Sequence, residues 1–130
     1  FNQLKDELAK ADIDYKDKSI LDISGGPGFL ISQLKDHAKE VSVTEYSQKA
    51  VDAMKKSLDI DARKFDYNSD SINEVYKDKT FDIILVRSSI IFSENLDSFI
   101  RGLNDILNED LIVVNDFRLI LPLYIISFYN

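Results

Sequence analysis

The sequence predicts an α/β domain on an open, doubly wound, mainly parallel sheet of about five strands. Three observations lead there. The spacing of apolar residues switches repeatedly between strand-like and helix-like along the chain. The run "FDIILVRS" (81–88) is apolar on successive residues, as in a strand covered on both faces. A turn of small residues, "SGGPG" (24–28), closes the first strand-like run and opens a helix-like one.

Taken in order, Leu4, Leu8 and Ala11 share one helical face, which predicts a helix over 2–11. "SILDI" (19–23) is a short β-rich run, and Leu30, Ile31, Leu34 and Ala38 then return at helical spacing. "VSVTE" (41–45) predicts the second strand. Ser47 is the expected N-cap of the following helix, whose buried stripe is Ala50, Val51, Met54 and Leu58. "ARKF" (62–65) is a third strand with a weak signal, and a short helix is expected within 70–77. After the fourth strand, Asn95 is placed to cap a long helix with Leu96, Phe99, Ile100, Leu103, Ile106 and Leu107 inside. "LIVVND" (111–116) is the fifth strand. Strands alternating with helices imply right-handed crossovers and a parallel sheet.

Ligands of such sheets bind at the carboxyl ends of the strands, near the point where strand order reverses. The first strand ends on Asp22, Ser24, Gly25, Gly26, Pro27 and Gly28, a turn whose N–H groups suit an anionic group. By itself it is equally a tight strand-to-helix turn. Glu45 ends the second strand, one β-α-β unit after Asp22, where an acid accepts two hydrogen bonds from a ribose diol; in an acidic chain it is also a plausible solvated glutamate. Tyr46 follows and is placed beside an adenine. Asp66, then Tyr67 and Asn68, follow the third strand; the carboxylate suits an exocyclic amino group, and "DYNSD" is also an ordinary turn. Arg87 ends the fourth strand and has three readings: a partner for a ligand carboxylate, a partner for Asp22, or a charged strand terminus. Asn115, Asp116, Phe117 and Arg118 end the fifth. Together, the glycine turn and the acids after the second and third strands point to one adenosine-bearing ligand.

In this arrangement the sequence resembles the class I S-adenosylmethionine-dependent methyltransferases, of small-molecule type. Their first motif, acid-x-Gly-x-Gly-x-Gly, is matched by Asp22-Ile23-Ser24-Gly25-Gly26-Pro27-Gly28, with Ser24 in place of the first glycine. The resemblance covers roughly 15–117 and implies a Rossmann-like methyltransferase fold. It implies S-adenosyl-L-methionine as cofactor, Glu45 as the ribose acid and Asp66 as the acceptor of the adenine amino group. "FDIILVRSSIIF" and "LNEDLIVVND" are similar to the family's fourth-strand and fifth-strand segments. The glycine-rich turn usual before the fifth strand is absent, and Asn108 and Asp110 are expected to supply left-handed conformations there. A nicotinamide-dinucleotide fingerprint needs a third glycine where this chain has Phe29 or Ile31, so an NAD(P)-binding oxidoreductase domain ranks lower.

The resemblance implies methyl transfer by in-line displacement, without a metal. The acceptor is not specified. Formal net charge is −7 and no basic stripe is present, so a small-molecule acceptor is expected and nucleic acid is not. The only histidine, His37, is expected on the surface by the wrong end of the sheet. No apolar run reaches the roughly 20 residues of a membrane span. The chain has no cysteine, which fits a reducing compartment, and a cytoplasmic location is expected.

Residues 1–117 are expected to form the S-adenosylmethionine-binding domain and 118–130 an apolar tail. The chain opens on Phe1 and stops within that apolar stretch, so a piece of a longer protein, short of the family's last edge strands, is expected. The tail has room for one further helix or strand, and Phe117 to Asn130 are a candidate contact for a homo-oligomer. The competing reading from another class is a non-catalytic, methyltransferase-like binding or assembly module.

Overall fold

The structure, a computed structural model, describes residues 2–10, 12–23, 28–87, 94–114 and 124–127. In chain order the elements are α1 (Asn2–Lys10), β1 (Ser19–Ile23), α2 (Phe29–Leu34), β2 (Glu40–Glu45), α3 (Gln48–Leu58), β3 (Asp61–Lys64), α4 (Ile72–Val75), β4 (Phe81–Arg87), α5 (Leu96–Ile106), β5 (Leu107–Val114) and β6 (Tyr124–Ser127). The sheet runs β3-β2-β1-β4-β5-β6. Its first five strands are parallel, as expected, and β6 lies antiparallel beside β5. Part of the apolar tail thus supplies one further strand.

Side-chain alternation along each strand sends neighbouring residues to opposite layers. On one face, Leu8, Ile31, Leu34, Val51 and Met54 from α1, α2 and α3 cluster with Ile20, Val41, Val43, Ile83 and Leu85. On the other, Ile72, Phe99, Leu103 and Ile106 from α4 and α5 cluster with Leu21, Ile23, Ile84 and Val86. This accounts for the continuous apolar run in β4: Ile83 and Leu85 serve one layer, Ile84 and Val86 the other. Each such side chain contributes about 1.5–3 kcal/mol by leaving water.

The helix ends follow local chemistry. Ser47 Oγ accepts from the Ala50 N–H (3.3 Å), and Asn95 Oδ1 accepts from the Ser98 N–H (3.2 Å), the two caps the sequence predicted. At the far end of α3, Asp59 is left-handed (φ 51°). Lys35 Nζ donates there to the carbonyls of Leu58 (2.7 Å) and Asp59 (3.2 Å).

Two elements differ from expectation. The helix expected to reach about Ala38 stops at Leu34. The His37 N–H bonds the Leu34 carbonyl (3.0 Å), tightening the last turn, while the His37 carbonyl accepts from the Asp17 N–H (3.1 Å). That second bond draws the chain off the helix axis and brings Glu40 beside Ser19. The fifth strand begins at Leu107 rather than 111, so Asn108 and Asp110 are extended and make no left-handed turn. Asn108 Nδ2 donates to Thr80 Oγ1 (3.1 Å) and Asp82 Oδ1 (3.2 Å). The slack is absorbed by a register irregularity opposite Phe81–Ile83.

Gly28 has φ 84° and caps α2, and an added Cβ would lie 2.9 Å from Leu58 Cδ1 and 3.1 Å from Met54 Sδ. Both the left-handed backbone and the closeness of α3 require glycine here. Gly102 does the same for α5 against α4: a Cβ would lie 2.9 Å from Ile72 Cγ2.

The N-terminal ends of the strands are stitched by charge. Arg63 pairs with Asp61 (3.0 Å) and Asp78 (2.7 Å), donates to the Val75 carbonyl (2.7 Å) and lies over the Tyr76 ring (4.4 Å). Lys79 bridges Asp61 (2.7 Å) and Glu40. Burial pushes the Asp61 carboxyl up, but the bonds from Arg63 and Lys79 outweigh it and hold it below its ordinary value. The bond from Arg63 holds the exposed Asp78 carboxyl down at about 2.

Gly28→Ala is expected to destabilise the fold by about 2–4 kcal/mol, the left-handed strain plus overpacking against α3. Urea midpoints measure this, and a variant within about 0.5 kcal/mol of wild type would refute the packing argument. For the charge network, folded-state pKa values below the unfolded ones mean stability that is complete above about pH 4 and lost as pH falls. The loss runs through the folded value, about 2 for Asp78. Urea midpoints should therefore drop more steeply between pH 4 and pH 2 in wild type than in Arg63→Gln; equal slopes would show that the arginine does not hold these carboxylates.

Candidate active site at the carboxyl rim

Because the first five strands are parallel, their C-terminal ends open on one rim. Register fixes which residues meet there. Asp22 is level with Val43 and Leu85, so the end of β1 stands between the ends of β2 and β4. Glu45 is level with Lys64 at the end of β3, and Arg87 with Val114 in β5. The crossovers reverse direction between β1 and β4, which makes this the switch point of the sheet.

Among the predicted site residues, Asp22 is wholly buried in the central strand. It has no accessible surface. Ser24, Gly25 and Gly26 lie outside the described residues. Gly28 is buried, with its missing side chain directed at α3, which gives its glycine a packing reason.

Glu45 is half-buried at the end of β2, and its Oε1 accepts from the Tyr46 N–H (2.8 Å). The bond fixes one carboxylate oxygen against the strand end. The Tyr46 side chain beside it is 65% exposed, an uncovered aromatic next to an acid at the rim.

Asp66 is half-buried after β3. Its Oδ1 accepts from the Asn68 N–H (2.9 Å), and its own N–H donates to Asp70 Oδ2 (2.9 Å), so the "DYNSD" segment is a turn as well as a candidate site. Tyr67 is half-buried: its ring sits edge-on to Phe65 (5.3 Å) and Phe99 (4.8 Å), packs on the second core layer and borders the seam with α5. Arg87 is placed at the rim by its backbone, and its side chain lies outside the described residues, as do Asn115, Asp116, Phe117 and Arg118. His37 is exposed and edge-on to Tyr15 (6.3 Å). Its carbonyl meets the segment leading into β1, at the opposite end of the sheet from the rim.

Sequence reading missed the junction between the β3 turn and α5. Asn68 Oδ1 accepts from the Glu94 N–H (2.9 Å), and a groove of about 280 Å³ runs along this seam. The polar run 68–71 was a visible signal for a turn, but its partner 26 residues later was not. Among the described residues no group of three His, Asp or Glu is arranged to hold a metal ion. No helix among them is long and apolar enough to cross a membrane.

A family model described as "Methyltransferase domain" matches residues 21–114. Among solved structures, the chain is similar to the plantazolicin methyltransferase BamL, solved with a triazolic desmethylPZN analog and SAH, at 25% identity and a TM-score of 0.59. That match covers 82% of this chain and 40% of BamL. The N-methyltransferase NodS from Bradyrhizobium japonicum, solved with S-adenosyl-L-homocysteine, matches at 16% identity with a TM-score of 0.63, covering 86% of this chain and 57% of NodS. YcgJ from Bacillus subtilis matches at 16% identity with a TM-score of 0.66, covering 88% and 50%. The last two show the fold alone, and the chain spans 40% or less of the plantazolicin methyltransferases. No curated protein matches. With the glycine turn after β1, the acid ending β2 and the strand order β3-β2-β1-β4-β5 all lying inside the matched segment, the chain belongs to the methyltransferase domain family.

Proposed function

We propose that this domain binds S-adenosyl-L-methionine along the carboxyl rim and transfers its methyl group to a small-molecule acceptor. The observation that carries the reading is Glu45, held at the end of β2 by the Tyr46 N–H, next to the exposed Tyr46 ring and one strand away from the glycine turn. A fixed carboxylate suits a diol, and an exposed aromatic suits a purine face.

The residues present fit the cofactor. In this reading the small residues Ser24, Gly25 and Gly26 serve its amino-acid end; Asp22 before them is buried, and Gly28 after them caps α2. Glu45 accepts from the ribose hydroxyls, Tyr46 covers the adenine and Asp66 accepts from its amino group. Tyr67 supports this side by packing the β3 turn onto Phe99. Arg87 adds a positive charge at the rim. The bound cofactor supplies a methyl group activated by a positive sulfur. The chain's part is alignment and closeness, which contribute about 7–11 kcal/mol in favourable cases. The acidic balance of the chain (net charge −7) favours a small acceptor over nucleic acid.

Calorimetric titration with S-adenosylmethionine and S-adenosylhomocysteine tests the reading. Wild type is expected to bind in the micromolar range. Glu45→Ala, which removes two charge-assisted hydrogen bonds, is expected to lose at least about tenfold in affinity, and Gly26→Val to abolish binding. Unchanged binding by Glu45→Ala would overturn the ribose assignment. Tight NADH binding in place of S-adenosylhomocysteine would overturn the cofactor, and no binding of either would favour the assembly-module reading.

A further inference from the structure

Asn68 works at two ends. Its backbone N–H donates to Asp66 Oδ1 (2.9 Å), and its side-chain Oδ1 accepts from the Glu94 N–H (2.9 Å), one residue before the Asn95 cap of α5. The turn between them is closed by reciprocal bonds, Asp66 N–H to Asp70 Oδ2 (2.9 Å) and Asp70 N–H to the Asp66 carbonyl (3.0 Å). A second fastening runs beside the first: Tyr67 packs edge-on to Phe99 in α5 (4.8 Å), and Phe65 stacks on Phe99 (6.0 Å). The turn carrying Asp66 is therefore docked on the start of α5 by one side-chain hydrogen bond and one aromatic cluster.

We infer that Asn68 is a positioning residue for purine selection: by docking the β3 turn on α5 it fixes the direction of the Asp66 carboxylate and so the preference for a 6-amino over a 6-oxo purine. The inference rests on the adenosine reading of the rim. A carboxylate accepts from an exocyclic amino group, whereas a 6-oxo group sets acceptor against acceptor. Such a mismatch discriminates only when the carboxylate is held in place; a carboxylate free to swing aside admits water and tolerates either base. Asp66 is half-buried and residues 68–71 are exposed, so beyond the Tyr67 contact little core packing holds the turn. The Asn68 side chain is exposed, and its truncation leaves both core layers intact.

The test is titration of wild type, Asn68→Ala and Asn68→Asp with S-adenosylhomocysteine and S-inosylhomocysteine, with circular dichroism to confirm equal folding. Wild type is expected to favour the adenosyl compound by at least about tenfold. Asn68→Ala is expected to narrow the ratio to about threefold or less, and Asn68→Asp, which keeps the acceptor, to restore it. A merely structural role would weaken both ligands together and leave the ratio unchanged, and that outcome overturns the inference while Glu45-dependent binding leaves the adenosine reading standing. Wild type that binds neither compound overturns both.

Discussion

Everything at the rim depends on β1 being paired in parallel with β2 on one side and β4 on the other. A parallel strand flanked in this way needs a helix layer on each face, and the two layers require crossovers that run in opposite directions from β1. The two apolar clusters meet that requirement: Ile20 goes to the layer of α1, α2 and α3, and Leu21 and Ile23 go to the layer of α4 and α5. The reversal separates the chain just where β1 ends. The rim is thus a consequence of how the core is covered.

Much of this was legible in the sequence because the signals were local. The apolar periods located every helix and strand through α5, the two polar caps stood where Ser47 and Asn95 predicted them, and the strand-end acids were placed by counting one crossover. What escaped depended on contacts between distant segments. The early start of β5 follows from Asn108 bonding Thr80 and Asp82 across the sheet, and no periodicity encodes that pairing. The shortened α2 follows from Asp17 claiming the His37 carbonyl. The contact of Tyr67 with Phe99 in α5 likewise joins segments far apart in the chain. Gly102 carried no turn signal, because its reason is the closeness of Ile72 and Asn73.

The two ends of the sheet are built differently. At the amino ends, Arg63, Lys79, Asp61, Asp78 and Glu40 satisfy one another, and Ser19 and Asp82 exchange hydrogen bonds across 63 residues (Ser19 N–H to Asp82 Oδ2, 3.0 Å). Polar groups there are used to hold β1, β2, β3 and β4 together. At the carboxyl ends, Glu45 accepts from the Tyr46 N–H and Asp66 from the Asn68 N–H, while the Phe65 N–H bonds the Glu45 carbonyl (3.0 Å) and Asn68 Oδ1 accepts from the Glu94 N–H (2.9 Å).

The closeness of Gly28 to Met54 and Leu58 has a consequence for variation in this fold. These two side chains stand directly behind the start of α2, although neither is at the rim. How closely Gly28 approaches α3 is set by the volume that α3 presents. A thioether, unbranched and adaptable, sits at one of the two contact points. Gly28 and the buried stripe of α3 are accordingly one unit of change: a substitution at 54 or 58 shifts the start of α2 from behind, and a larger residue at 28 is accommodated only together with smaller ones there.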